Sequence, residues 1–108
     1  MFHGDGELKW DSGKEYKGTF FQGLMDGKGV LKWPNNTSYE GTFSKGLMDG
    51  QGKMTFADGK VYLGSFSKGK KHGFGNIDYN GGTKYTGWFF KDQKIGDAMI
   101  TVTNKKGV

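Results

Sequence analysis

The chain has 108 residues, a length that fits one domain or a piece of one. Glycine fills 21 positions and aromatic residues 16% of the chain while proline occurs once, which disfavours collagen-like or proline-rich disorder and favours turn-dense β structure anchored by rings. The formal charge of +5 is carried by lysine alone, nine lysines against four acids in residues 55–108 and an even balance before them, so the bidentate arginine fork that reads phosphate or guanine is missing and specific nucleic-acid recognition is not expected.

In chain order, the first fifteen residues, MFHGDGELKWDSGKE, align with the last fifteen positions of a unit that then recurs with a period of 23. Three full units follow at 16–38, 39–61 and 62–84: YKGTFFQGLMDGKGVLKWPNNTS, YEGTFSKGLMDGQGKMTFADGKV and YLGSFSKGKKHGFGNIDYNGGTK. Residues 85–107, YTGWFFKDQKIGDAMITVTNKKG, form a divergent unit in which Asp92 and Ala98 replace two of the expected glycines, as in a capping repeat.

Every unit predicts two short strands with one apolar face, Tyr-x-Gly-x-Phe and Gly-x-aliphatic-x-aromatic, separated by about seven glycine-rich residues. The turn after each second strand, such as Asn35-Asn36, Asp58-Gly59 or Asn80-Gly81-Gly82, uses residues that tolerate positive φ. A register that sets Tyr across from the second-strand aromatic leaves each Phe opposite a glycine, a flat bed for the ring; a slip of two residues keeps the same faces. One hairpin alone is marginal in water, so the units must stack into an all-β array.

Within this frame the word GLMDG, at residues 23–27 and again at 46–50, falls at the hairpin tip. Reading the same two positions down the array gives Met1-Phe2, Leu24-Met25, Leu47-Met48, Lys70-Lys71 and Gln93-Lys94. The tip edge is therefore apolar in its first three hairpins and basic in its last two, which makes Leu24, Met25, Leu47 and Met48 a candidate contact edge. The alternative is that one residue of each pair tucks against the adjacent tip. The cluster Lys68, Lys70 and Lys71 is either a solvated tip or a site for an acidic partner or anionic lipid.

Catalytic chemistry is sought without result. His3 and His72 are three periods apart, in equivalent turn positions of different hairpins, and cannot share a metal or a proton. Gly27-Lys28-Gly29 and its repeats lead into strands, whereas a phosphate cradle needs a helix N-terminus. Without cysteine there is no thiolate nucleophile, thiolate metal site or disulfide, and no apolar stretch approaches a membrane span. The expectation is a non-enzymatic protein without cofactor or metal, in the cytoplasm or on the cytoskeleton.

The pattern Y-x-G-x-F-x-x-G-x-x-x-G-x-G closely resembles the MORN (membrane occupation and recognition nexus) motif. Tyr62, Gly64, Phe66, Gly69, Gly73 and Gly75 match it almost completely, and Phe20, Phe43, Phe66 and Phe89 stand where the family most often has Trp. The resemblance implies an elongated, single-layer antiparallel sheet with a concave aromatic groove, lined by Tyr16, Phe20, Trp33, Tyr39, Phe43, Phe56, Tyr62, Phe66, Tyr79 and Tyr85. Those rings must first supply the core; whether they also touch a partner is left open. What it implies for function is a scaffold holding a helical or extended partner segment within a larger assembly, such as a cilium, axoneme or radial spoke. The alternatives are an anionic-membrane binder and an accessory array of a larger enzyme. The first unit begins midway through a hairpin, so Met1 is either a start with an open edge or an internal methionine of a longer array.

Overall fold

The computed structural model describes residues 3–102, apart from the side chain of Asp97. They form nine strands: β1 (Gly4–Lys9), β2 (Glu15–Phe21), β3 (Leu24–Lys32), β4 (Ser38–Ser44), β5 (Leu47–Thr55), β6 (Val61–Ser67), β7 (Lys70–Tyr79), β8 (Thr83–Phe90) and β9 (Gln93–Val102). Each strand pairs antiparallel with the next in chain order, giving one open sheet with extents of 56 × 27 × 19 Å. Among the described residues there is no second layer, so the sheet must bury apolar area against itself.

It does so on one face. Side chains alternate across a strand, and the motif places Tyr, Gly and Phe of each first strand on the same side. The expected register is corrected by two residues. Tyr39 lies across from Met54 rather than Phe56, Gly41 across from Gly52, and Phe43 across from Met48 beyond a bulge. The cause is steric: the Tyr39 ring lies over the glycine pair, and a Cβ on Gly52 would sit 2.3 Å from it. The glycines are a bed for the tyrosine, not for the phenylalanine. The hydroxyl then donates to the backbone carbonyl of Thr42 at 2.9 Å, as Tyr16 does to Thr19 and Tyr62 to Ser65.

These rings make one continuous spine. Tyr16 meets Phe20 and Phe43, Tyr39 meets Phe43 and Phe66, and Tyr62 meets Phe66 and Phe89, all edge to face with centroids 4.9–5.2 Å apart. Each of these three tyrosines thus contacts the phenylalanine of its own unit and that of the next, which is the nearest-neighbour coupling a repeat array needs.

The hairpin tips are also shorter than expected. Two residues, not seven, join β2 to β3: Gln22 and Gly23 have φ of 53° and 79°, the twist of a type I′ turn. Leu24 and Met25 therefore begin β3 instead of forming its tip. The glycine-rich residues that follow are accommodated by the bulge, where Gly27 takes φ 82° and the Thr19 hydroxyl donates to the carbonyl of Asp26. The divergent last unit keeps the same turn, with Asp92 at φ 72° in the glycine position. Residues 103–107 of that unit lie outside the described residues.

Candidate interaction surface

The spine settles the role of most of the expected groove rings. Tyr16, Tyr39, Phe43, Tyr62, Phe66 and Tyr85 are between 0% and 7% exposed, so they are core and cannot line a partner site. Only Phe20, Trp33, Phe56 and Tyr79 of that set keep part of their surface, packed against the core as a flanking row. The correction has a simple origin: in a one-layer sheet the face that carries the periodic rings is the face that must close.

Burial raises the phenols accordingly. Tyr39 and Tyr62 are pushed up to about 12, with desolvation of the buried ring outweighing the hydrogen bonds that would stabilise the phenolate; Tyr16 moves in the same direction.

The opposite face carries hollows of its own. A concavity of about 510 Å³ is walled by Lys17, Lys28, Val30, Glu40, Thr42 and Gln51 over the backbone of Gly18, Gly29 and Gly41. A second, of about 310 Å³, adjoins it at Glu7, Lys9, Glu15 and Lys32. All of these side chains point away from the spine by strand alternation. This outer face changes character along the array. In the first five strands its middle carries interspersed lysines and glutamates, with exposed Phe21, Leu24 and Leu47 at the hairpin ends, whereas further on its middle presents Leu63, Phe74 and Trp88, each 51–53% exposed. Phe74 and Trp88 are paired across β7 and β8 with ring centroids 5.3 Å apart.

Motif reading passed over these residues because they break the repeat instead of obeying it. The position of Phe74 holds Lys28 and Gln51 in earlier units, that of Trp88 holds Thr19, Thr42 and Ser65, and that of Leu63 holds Lys17 and Glu40. Comparing units position by position would have found them.

At the tip edge each Leu-Met pair divides. Leu24 and Leu47 are 47% and 48% exposed, while Met25 and Met48 pack against the core rings. Met1 and Phe2 lie outside the described residues. In the next two units Lys71 and Lys94 take the methionine position and use the same rings: Lys71 lies 5.8 Å from the Tyr62 centroid and Lys94 4.6 Å from that of Tyr85. Lys71 also pairs with Asp92 at 3.5 Å. Of the basic cluster, Lys68 occupies a turn with φ 51° and Lys70 is solvated, so the three do not converge on one site.

The carboxylates of the repeat staple neighbouring hairpins. Asp26 accepts from the Lys45 amide and Asp49 from the Lys68 amide, each at 3.3 Å, locking the turn of the following hairpin. His3 does the same through Nδ1 for Gln22 at 3.1 Å. His72 lies within β7 rather than in the turn itself, its ring 5.1 Å from Phe90. Among the described residues no group of three potential metal ligands gathers.

An open sheet of recurring hairpins, each held by contacts to its neighbours, defines a β-hairpin repeat protein. A family model for the MORN repeat matches residues 16–38, 39–61 and 62–84, and the chain belongs to that family. MORN repeats form a binding module for proteins or membrane lipids. No curated protein matches the chain significantly.

Proposed function

We propose that the chain is a non-catalytic scaffold module that binds a helical or extended segment of a partner protein on its outer face, within a cytoskeletal assembly of the ciliary or axonemal kind. The observation that supports this most is the distribution of exposed apolar side chains. The spine closes the middle of one face with the chain's own rings, leaving Leu8 and Ile100 exposed at its two ends, while half-exposed Leu63, Phe74 and Trp88 stand on the other face, next to a trough. Contiguous exposed apolar area on a soluble surface marks contact sites. The cytoskeletal setting rests on the family resemblance.

Crosslinking of the full chain in native cytoskeletal fractions tests the reading. Partner crosslinks are expected at outer-face lysines such as Lys17, Lys28, Lys53 and Lys84. No stable partner, or crosslinks confined to the spine side, would overturn it.

A second reading draws on the basic second half, nine lysines against four acids. Each lysine near an anionic leaflet contributes about 1 kcal/mol, so a few could localise the chain weakly. Salt-sensitive flotation with anionic liposomes is its expected signature, and binding indifferent to lipid charge rejects it.

A further inference from the structure

We infer that the outer face of β6–β9 is the seat of one amphipathic helix from a partner protein, its apolar stripe flanked by acidic residues. This rests on the reading above and narrows it to one end of the array and one kind of occupant.

The seat is contiguous. Phe74 and Trp88 are directly paired, and Trp88 is paired in turn with Ile95. Leu63 and Met99 are diagonal neighbours, because they pair with Asn76 and Thr86, two residues from Phe74 and Trp88. All five are between 45% and 67% exposed. Aromatic residues at the centre of such a patch are the type that dominates binding energy.

Backbone chemistry selects the occupant. An extended peptide gains affinity by adding its hydrogen bonds to a free strand edge. The face of a sheet has none to offer: β6, β7 and β8 are each paired on both sides, and the edge that β9 presents among the described residues lies beside the seat rather than under it. A peptide laid flat there would lose water from its own amides without replacement. A helix satisfies its amides internally and needs only an apolar stripe, which is why helices are the usual second layer on sheets. From Leu63 on β6 to Met99 on β9 is three strand spacings, roughly 14 Å, the length of about ten helical residues.

Charge sets the flanks. Lys53 is paired with Leu63, Lys84 lies on the same face two residues from Thr86, and Lys70 and Lys91 stand exposed at the hairpin ends. Of the nearby carboxylates whose side chains are described, Asp92 pairs with Lys71, and Asp78 is partly buried on β7 across from Lys84. A basic rim around an apolar centre favours acidic flanks. The adjoining trough also argues for a narrow occupant over a planar bilayer.

The test uses the full chain and a fluorescein-labelled synthetic helix of about 14 residues with a leucine stripe flanked by glutamates. Anisotropy should saturate. The same stripe flanked by lysines, and a glutamate peptide with its stripe scrambled, should each bind at least about tenfold more weakly. Leu63→Asp and Phe74→Asp should each weaken binding by about tenfold while leaving the melting midpoint within about 5 °C, since neither residue touches the spine. No saturation by about 1 mM, equal binding of the scrambled peptide, or indifference to Phe74→Asp overturns the inference. So does sedimentation with phosphatidylserine vesicles in place of peptide binding, which assigns the patch to a lipid surface. If the peptides fail while native partners still crosslink at Lys17 and Lys28, the helix seat falls and the scaffold reading stands.

Discussion

The two faces of this sheet are built from the same strands under opposite rules. On the spine face nearly every position is fixed: Tyr62 must lie over Gly64 and Gly75, and its hydroxyl must reach the Ser65 carbonyl. On the outer face, one residue away along each strand, Lys17, Glu40, Leu63 and Thr86 occupy the same repeat position. The contrast teaches that a one-layer repeat assigns stability to one side and leaves the other free to vary, and the variable side is the one we propose for recognition.

The largest effects should come from breaking the constrained face. Tyr62→Ala removes a fully buried ring and empties its bed, so a loss of roughly 3–5 kcal/mol is expected in denaturant unfolding. Gly52→Val should be comparably damaging, because its Cβ alone would meet the Tyr39 ring at 2.3 Å. A variant at either position that unfolds like the parent would show that the spine does not hold the sheet.

Alkali provides a milder break. The phenols of Tyr39 and Tyr62 are raised from 10.0 to about 12 by burial, so the folded chain keeps protons that the unfolded chain releases. Their contribution is complete below pH 10 and is lost as pH rises toward 12. Phenolate absorbance and near-ultraviolet dichroism should change together in that window. Ionisation of all five tyrosines near pH 10 with the fold intact would contradict a buried spine.

Smaller effects sharpen the comparison at the tips. Asp49→Ala removes the acceptor for the Lys68 amide and should cost about 1 kcal/mol, visible as faster amide exchange at Lys68. The double change of Leu24 and Leu47 to lysine should stay within about 1 kcal/mol of the parent while weakening any partner that uses the tip edge. A larger loss of stability would place these leucines with Met25 and Met48 in the core.

Much of the fold was legible because a strict period multiplies a weak signal. Tyr16, Tyr39, Tyr62 and Tyr85 mark the units, and the alternation around each identifies strands and their apolar side. The register was not legible, since a slip of two residues preserves every face. Only the space above Gly41 and Gly52 distinguishes the alternatives. The bulge was hidden for a related reason: Gly46 to Gly50 reads as a loop, yet Gly50 bends inside a strand that Thr42 holds through its hydroxyl. Of the candidate site, Leu24 and Leu47 were visible as an unusual word, but the ring groove was misplaced because periodicity identifies a core before it identifies a surface.

The junctions between units are interchangeable: the tyrosine of one unit meets the phenylalanine of the next at 5.1, 4.9 and 5.2 Å. Inserting or deleting 23 residues therefore changes how many hairpins there are without changing how any two of them fit. Each duplication would lengthen the sheet by two strand spacings, about 10 Å. Such a chain can serve as a molecular ruler, its reach set by copy number while each rung stays free to acquire its own outward-facing side chains.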